Sequence, residues 1–309
     1  METRTERSVD VLLDYVKSRH PLSLKGVEEA RAINPVRFDG YANRLLDWAI
    51  RALGPQAIAT TTDAFVRFSM SVNFSQARYE AAGHYEHKSY SECYDAVYNQ
   101  KEAMDDYLWG VYLTNFMWSH HMDITMFFED RFLAKQAPNA QLIEVAPGHG
   151  GWGLWALDRL PEARLRAFDI SPSSIDIASS LARASGHQDR VSYELRNALD
   201  LGSLEPGAAD ACICNFLIEH LEDPDRLLAA IAHLLKPGAK AFLSGALTAA
   251  QVDHIYEFRR ESELVIMAEK HGLRVLETLS VSPQRTLPRA RLLPRSMSLI
   301  MQKPARGVW

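Results

Sequence analysis

Glycines at alternating positions, followed by an acidic residue further along the chain, are the residues whose types and spacing most clearly indicate chemistry. The range 142–153 reads LIEVAPGHGGWG, an apolar run followed by a glycine-rich turn. Glycine lets the backbone turn sharply and approach a ligand closely, because no side chain stands in the way. Asp169 follows about 20 residues after the turn, a position from which a carboxylate accepts hydrogen bonds from ribose hydroxyls. This spacing predicts a nucleotide-like ligand at the end of a β-strand.

The glycines alone do not identify the ligand, and they also fit a turn that binds no ligand. Gly148, Gly150 and Gly153 fit the G-x-G-x-x-G fingerprint of dinucleotide-binding domains, with Asp169 as the ribose-binding acid. By itself this match is weak evidence for NAD, so an NAD-dependent oxidoreductase is one alternative. A tight strand-to-helix turn without any ligand is the structural alternative.

Several histidines could remove a proton from a reacting group, because the pKa of histidine lies near neutrality. The candidate catalytic residues are His220, His121 and His84. The candidate substrate-binding residues are Tyr90, His120, His254 and Tyr256. Each group also has a structural interpretation: helix capping for 120–121, an interface for 84–90 and an exposed helix for 251–259. The spacings match no strong metal-ligand signature, so no metal site is predicted.

Positioning these groups requires a scaffold of alternating strands and helices in the second part of the chain. Five short apolar runs predict parallel strands at Leu142–Val145, Leu165–Phe168, Val191–Leu195, Ala211–Cys214 and Ala241–Leu243. Amphipathic stretches between several of them predict helices on both faces of the sheet. Two further runs, Val275–Val281 and Met297–Met301, predict a final antiparallel pair. The pattern is typical of a Rossmann-like, doubly wound α/β fold.

Residues 1–137 have helical periodicity and almost no strand pattern. The stretch Met104–Leu133 is unusually rich in aromatic residues and predicts a helical, mostly buried region. We therefore divide the chain into an all-helical region, 1–137, and an α/β domain, 138–309. The helical region is expected to cover the ligand site and shape an acceptor pocket, or to form a dimerisation arm.

Five segments, in order, resemble motifs of the class I S-adenosylmethionine-dependent methyltransferases of the small-molecule type. They are Glu144–Gly150, Ala167–Ser171, Leu195–Leu199, Ala209–Pro224 and Leu234–Gly238. The chain departs from the family at Ala146, where glycine is usual; alanine is small enough to keep the loop. Each motif alone is soft, but their order over about one hundred residues favours methyl transfer over NAD chemistry.

The resemblance implies S-adenosylmethionine as cofactor and a role for nine residues in binding it. The loop containing Glu144, Ala146, Gly148 and Gly150 is expected to bind the methionine part. Asp169 is expected to bind the ribose hydroxyls, with Ile170 against the adenine. Asn197 and Ala198 are expected at the adenine edge, and Asn215 near the sulfonium.

The composition of the chain limits the kinds of partner that we expect it to bind. The formal net charge of -5 makes the chain a poor counterion for phosphate backbones, so nucleic acid is not expected as a substrate. No apolar run reaches the ~18 residues of a membrane span. The first residues are charged where a signal peptide would be apolar, and only three cysteines occur, so we expect a cytoplasmic protein. The aromatic helical region favours a partly apolar or ring-bearing small molecule as methyl acceptor, and it could also form a homodimer. A cofactor-binding partner subunit without transfer activity is the second alternative.

Overall fold

The computed structural model describes residues 7–93, 101–284, 286 and 290–305. Its first part is helical, as predicted. Four helices come first: α1 Ser8–Arg19, α2 Pro21–Ile33, α3 Pro35–Leu53 and α4 Ala57–Ala82. Proline stands at the first position of α2 and α3, where its missing N–H costs nothing. Asn34 caps α3 by accepting a hydrogen bond from the N–H of Arg37, and Gly83 ends α4 in the left-handed region, with φ +79°.

The aromatic stretch 104–133 is a helical region, but it is not one helix. After the short helix α5, Tyr90–Cys93, it forms α6, Lys101–Met117, and α7, Ser119–Phe127, followed by a π-helical turn, Phe128–Phe132. Trp118 separates α6 from α7 with an extended backbone. Its ring is stacked on Phe68 at 5.5 Å and on His120 at 5.4 Å between ring centroids. The helix is therefore interrupted at Trp118, where the ring packs against another helix. Helical periodicity in the sequence does not indicate this interruption.

The second part is a seven-stranded sheet in the order β3-β2-β1-β4-β5-β7-β6. The strands are β1 Gln141–Val145, β2 Arg164–Asp169, β3 Val191–Leu195, β4 Ala209–Asn215, β5 Leu235–Leu247, β6 Arg274–Val281 and β7 Arg295–Gln302. Strands β1 to β5 run parallel, and β7 pairs antiparallel with both β5 and β6. Helices α8 Gly151–Arg159, α9 Pro172–Ser185, α10 Pro224–Leu234 and α11 Glu261–Lys270 connect the strands. The predicted Rossmann-like fold with a final antiparallel pair is confirmed.

The main hydrophobic core is continuous between the helical region and the sheet. Val9, Phe38 and Phe116 from the helical region belong to the same buried cluster as Leu142 and Phe242 from the sheet. A smaller cluster lies on the other face of the sheet, around α10 and α11. The division of the chain at residue 137 stays a prediction, and apolar packing crosses it.

Candidate active site

A cavity of about 850 Å³ opens at the carboxyl ends of β1, β2 and β4, and its size lies toward the upper end of the ~300–1,000 Å³ typical of small-molecule sites. The helical region contributes much of its lining, including Phe65, Phe68, Met104, Tyr107 and Trp118. Thirteen of the predicted site residues line this one cavity: Tyr90, His120, His121, Glu144, Ala146, Gly148, Asp169, Ile170, Asn197, Ala198, Asn215, His220 and His254. The lining does not include Gly150, His84 or Tyr256.

The glycine-rich turn leaves β1 through residues in the left-handed region of backbone conformation. Ala146 has φ 54°, Gly148 φ 55° and Gly150 φ 77°. The N–H of Ala146 donates to the backbone oxygen of Phe168 at 2.8 Å, which ties the end of β1 to β2. A β-carbon on Gly150 would lie 2.8 Å from Cβ of Ala178, so this glycine lets the turn pack against α9. Gly150 therefore lets the turn pack closely against α9, and it does not line the cavity itself.

Glu144, at the end of β1, is a buried carboxyl group beside the turn. Its exposed fraction is 2%, and its Oε2 atom is buried without a hydrogen-bond partner among the described residues. Burial raises the pKa of Glu144 to about 8, and the nearby Asp169 carboxylate adds to the rise. A cationic ligand group next to this carboxylate would favour its charged form.

Asp169, at the end of β2, braces the turn from the other side. Its Oδ2 accepts from the N–H of Gly148 at 3.0 Å, and its Oδ1 accepts from the N–H of Ser171 at 2.9 Å. Burial raises the pKa of Asp169, although these backbone donors oppose the rise. Hydrogen bonds from the backbone of Ile170 and the side chain of Ser174 also oppose the rise, so the protein holds this carboxylate in a fixed orientation at the edge of the cavity.

Residues after β2 and β3 form the next part of the lining. Ile170 is 45% exposed although it is apolar, and it follows Asp169 directly. The side-chain oxygen of Asn197 accepts from the N–H of Leu199 at 2.8 Å, which fixes the short helical segment Ala198–Ser203. An apolar side chain and a fixed polar edge in one cavity suit a flat heterocycle.

At the end of β4, Asn215 leads into a strained turn that contacts the helical region. Its Oδ1 accepts from the Ser244 hydroxyl at 2.8 Å, and its Nδ2 is buried without a partner among the described residues. Phe216 follows with φ 51°, unusual for a large side chain. Its ring is stacked on His121, with centroids 4.7 Å apart and planes 17° apart.

His120 and His121 begin α7, beside the Trp118 ring. Nδ1 of His121 lies 3.1 Å from the Thr114 hydroxyl, whereas Nδ1 of His120 is buried without a partner among the described residues. Burial lowers the pKa of His120 to about 3 and that of His121 well below its usual value. Both imidazoles are therefore neutral at pH 7, and their rings form part of an aromatic wall.

A cluster of three polar side chains, Glu219, His220 and His254, lies where the turn after β4 meets the segment after β5. Glu219 and His254 are each 1% exposed, and His220 is partly exposed. One ligand atom from each of the three side chains lies within 4.8 Å of the other two. Nδ1 of His220 lies 3.0 Å from the backbone oxygen of Asp253, and Nδ1 of His254 lies 2.7 Å from that of Ala249. Burial raises the pKa of Glu219 and lowers that of His254 to about 3.

Tyr107 interacts with acidic residues both beside the glycine-rich turn and in the region around Glu219. Its hydroxyl interacts with the Asp253 carboxylate, and its pKa is raised well above the usual value by burial and by Asp253, Glu219 and Asp169. Its ring packs edge-on against Phe68, 5.5 Å away, which in turn stacks on Trp118. The aromatic wall thus runs from the acidic side of the cavity to the histidines of α7.

The remaining predicted residues differ in their placement. Tyr90 lines the cavity at its exposed margin, and its N–H donates to the Glu222 carboxylate at 2.7 Å. His84 lies outside the lining, with Nδ1 2.8 Å from the backbone oxygen of Tyr85. Tyr256 also lies outside; its N–H donates to the backbone oxygen of Glu219 at 2.9 Å.

Three polar residues described above were not among the predicted site residues: Tyr107, Glu219 and Asp253. Two of them had a signal in the sequence, because each acid directly precedes a predicted histidine, in Glu219-His220 and Asp253-His254. Tyr107 had none, since it is one of several aromatic residues at helical spacing.

The residues around the turn fit the cofactor that the sequence predicts. Asp169 lines the cavity, and the buried Nδ2 of Asn215, which also lines it, lacks a hydrogen-bond partner among the described residues. Buried polar atoms are rarely left unpaired, so the Asn215 amide fits a site that binds a ligand with a complementary acceptor.

Comparisons with known proteins identify the family of the chain. Residues 143–241 match the family model described as a methyltransferase domain. A ubiquinone biosynthesis O-methyltransferase of Xanthomonas euvesicatoria pv. vesicatoria is 30% identical, and the match covers 51% of this chain and 72% of that protein. A protein of the same name from Xylella fastidiosa is 36% identical over 37% of this chain and 45% of its own length. The latter match therefore spans less than half of that relative.

Solved structures show the same fold at low sequence identity. A phosphoethanolamine N-methyltransferase of Haemonchus contortus, solved with S-adenosylhomocysteine, superposes with a TM-score of 0.55 at 16% identity, over 70% of this chain and 61% of that chain. An O-methyltransferase family protein from Burkholderia thailandensis gives a TM-score of 0.50 at 21% identity, over 67% and 60%. These matches support the fold alone.

Proposed function

Because this chain belongs to the class I S-adenosylmethionine-dependent methyltransferases, we propose that it methylates a hydroxyl oxygen on a ring-bearing small molecule. Transfer from S-adenosylmethionine to a small-molecule acceptor is the activity of the family to which the comparisons assign the chain. The nature of the acceptor and the roles of individual residues are our inference.

The observation that carries the proposal is that one cavity joins the glycine-rich turn to an aromatic wall and buried histidines. The cofactor supplies a methyl group on a positively charged sulfur, and an acceptor oxygen displaces that sulfur, which keeps the electron pair of the broken carbon–sulfur bond. The protein must align the acceptor, exclude water and accommodate the proton that leaves.

For the cofactor, we assign the Asp169 carboxylate to the ribose hydroxyls, and Ile170 and Asn197 to the border of the heterocycle. Glu144 is placed beside the turn that is expected to bind the methionine part, where its carboxylate would pair with an ammonium group. Asn215 Nδ2 offers an unused donor at the same edge.

For the acceptor, the rings of Phe68, Tyr107 and Trp118 form an apolar wall on which a flat ring packs. Neutral His120 and His121 provide polar contacts at one end of this wall. Glu219, His220 and His254 lie at the other, acidic end, and we assign them to activation of the acceptor hydroxyl. The relatives are named as O-methyltransferases, which supports oxygen as the methylated atom.

Two measurements test the proposal. Calorimetry should detect binding of S-adenosylhomocysteine and no binding of NAD. Turnover to S-adenosylhomocysteine should then be compared among phenols, catechols and matched aromatic amines and thiols. We expect the hydroxyl compounds to be the substrates; faster turnover of an amine or a thiol than of its hydroxyl counterpart would contradict methylation of oxygen.

We also infer a cytoplasmic location, supported by the three cysteines, which are all free and buried. Among the described residues, none of the helices combines the length and the apolar character needed to cross a membrane. Assembly of a homodimer through the helical region remains a prediction, and sedimentation of the purified chain would test it.

A further inference from the structure

The cluster of Glu219, His220 and His254 contains two buried acceptor atoms that lack a hydrogen-bond donor among the described residues. Oε1 of Glu219 accepts from the N–H of Ala246 at 3.2 Å, but its Oε2 is buried without a partner among the described residues. Nε2 of His254 is likewise buried without a partner. Both residues are almost fully buried, and both line the cavity. Unpaired buried acceptors are costly, so such a pair implies a missing donor or cation.

The tautomers of the two histidines follow from their other ring nitrogens. Nδ1 of His220 is 3.0 Å from the Asp253 carbonyl, and Nδ1 of His254 is 2.7 Å from the Ala249 carbonyl. A carbonyl oxygen can only accept, so both Nδ1 atoms carry the hydrogen and both Nε2 atoms present a lone pair. An imidazole whose N–H is fixed by a backbone carbonyl is the usual supporting arrangement of a metal-ligating histidine.

A second acidic side chain lies beside the cluster. The carboxylate of Asp253, 1% exposed, lies 3.4 Å from Nδ1 of His220, and Glu219 is the neighbour of His220 in the chain. Two acidic groups and two imidazoles thus share a buried region. A divalent cation would compensate both carboxylates.

We propose that Glu219, His220 and His254 form a binding site for one first-row divalent transition-metal ion, of which Zn²⁺ is the probe. Two imidazole nitrogens and one carboxylate oxygen form a ligand set that suits such an ion better than Mg²⁺, which prefers oxygen ligands. Three protein ligands leave a coordination position open toward the cavity.

The present spacing of the ligands is close to what an ion needs. Ligand atoms bonded at ~2.1 Å in a tetrahedron lie ~3.4 Å apart, whereas the three atoms here lie within 4.8 Å of one another. Side-chain rotations that bring the ligand atoms about an ångström closer together would close the difference. His220, the most exposed of the three, has the most freedom to rotate.

This inference rests on the proposed function, because it specifies how the cluster activates the acceptor. An ion at this position would lower the pKa of an acceptor hydroxyl bound next to it, so that the hydroxyl would release its proton to solvent as the acceptor enters the cavity. The oxygen then forms its bond to the methyl carbon while the carbon–sulfur bond breaks. In this mechanism His220 is a ligand, and it does not itself take the proton.

The first experiment measures metal binding. The untagged full chain is stripped with a chelator and titrated calorimetrically with Zn²⁺ and, separately, with Mg²⁺. We expect one Zn²⁺ per chain, bound more tightly than Mg²⁺, and visible absorption bands from a ligand-bound ion when Co²⁺ is used instead. Absence of stoichiometric Zn²⁺ binding, or tighter binding of Mg²⁺, would overturn the assignment.

Two variants remove a ligand atom while keeping the local hydrogen bonds. Glu219→Gln retains an oxygen for the N–H of Ala246, and His254→Asn retains a donor for the Ala249 carbonyl. Each should weaken Zn²⁺ binding by at least about tenfold, the lower range for disturbing a metal's supporting contacts. His271→Gln is the matched control, since His271 pairs with Asp225 outside the cavity. Unchanged Zn²⁺ affinity in both ligand variants would place the ion elsewhere and refute the site.

Binding of S-adenosylhomocysteine, measured on every variant with and without chelator, shows that the fold and the cofactor site remain intact. If chelated protein binds it and turns over a hydroxyl acceptor at the full rate, the metal inference fails and the proposed function stands. If neither cofactor binding nor turnover occurs in metal-loaded protein, the proposed function fails, whatever the metal titration shows. Loss of turnover on chelation with recovery on Zn²⁺ supports both.

Discussion

The carboxylate of Glu144 occupies the space that a β-carbon at Gly153 would need. Such a β-carbon would overlap Oε2 of Glu144 and lie 2.5 Å from Cδ2 of Leu165. The first turn of α8 can therefore approach β1 only because residue 153 has no side chain. The last glycine of the G-x-G-x-x-G pattern thus makes room for an acidic side chain of the protein itself.

Gly153→Ala should displace the Glu144 carboxylate and weaken binding of S-adenosylhomocysteine, with a loss of stability of about 1–3 kcal/mol from overpacking. Calorimetry and urea unfolding measure the two effects. Gly40→Ala is the control, because a β-carbon there meets nothing within 4 Å and alanine is the better helix former. If Gly153→Ala bound the cofactor as tightly as Gly40→Ala, Glu144 would have no part in cofactor binding.

Asp169→Ala should weaken binding of S-adenosylhomocysteine by about 1–3 kcal/mol, because ligand hydroxyls lose a charged partner and the turn loses its brace at Gly148. Asp176→Ala, on the exposed side of α9, is the matched control and should leave affinity unchanged. Equal affinities of the two variants in calorimetry would place Asp169 away from the ribose.

Ala146→Gly should raise the free energy of unfolding by up to about 1 kcal/mol. The left-handed conformation at φ 54° costs a non-glycine residue about 1–2 kcal/mol, and the greater entropy of glycine in the unfolded chain offsets part of that relief. Ala156→Gly, in the interior of α8, should instead destabilise the protein by about 1 kcal/mol or more. Urea denaturation compares them; similar losses for both variants would show that the backbone at 146 is not strained.

The stability of the cofactor-free protein should fall as pH rises, in a way that depends on Glu144. Its pKa is raised from 4.5 to about 8 in the folded state. The contribution of a group with a raised folded pKa is fully present below the unfolded value and is lost as pH rises through the folded value. Urea unfolding at pH 5.5 and pH 8.5 should therefore show a larger loss for the wild type than for Glu144→Gln. Equal losses would mean that Glu144 is charged in the folded protein throughout this range.

Substitutions in the acceptor region should separate residues of the cavity from residues outside it. His121→Ala removes the ring stacked on Phe216, and Tyr90→Ala removes a side chain at the margin; both should lower turnover, by about 10- to 100-fold for His121, through misplacement of the acceptor. His84→Ala is the comparison, and we expect it to retain turnover because His84 lies outside the lining. Cofactor affinity should be unchanged in all three. Full turnover of His121→Ala would remove α7 from the acceptor site.

Local patterns in the sequence predicted the elements of the site on the sheet. The apolar runs, the glycine turn and Asp169 lie within short stretches whose periodicity and conformational demands are independent of distant residues. For this reason the parallel strands, the final antiparallel pair and the lining positions from Glu144 to Asn215 could be predicted. The break at Trp118 could not, because helical periodicity continues through it and the stacking on Phe68 involves another helix.

The sequence by itself determined the class of fold and the order of the motifs along the chain, since backbone geometry and hydrophobic periodicity act locally. Only the tertiary structure decided that His254 faces Glu219 and His220, that His121 stacks on Phe216, and that Tyr107 reaches Asp253. It also excluded His84 from the cavity and fixed the tautomers of His220 and His254 through backbone carbonyls. These are contacts between side chains from different elements, and packing of the helices against the sheet sets them, because no spacing along the chain encodes which side chains meet.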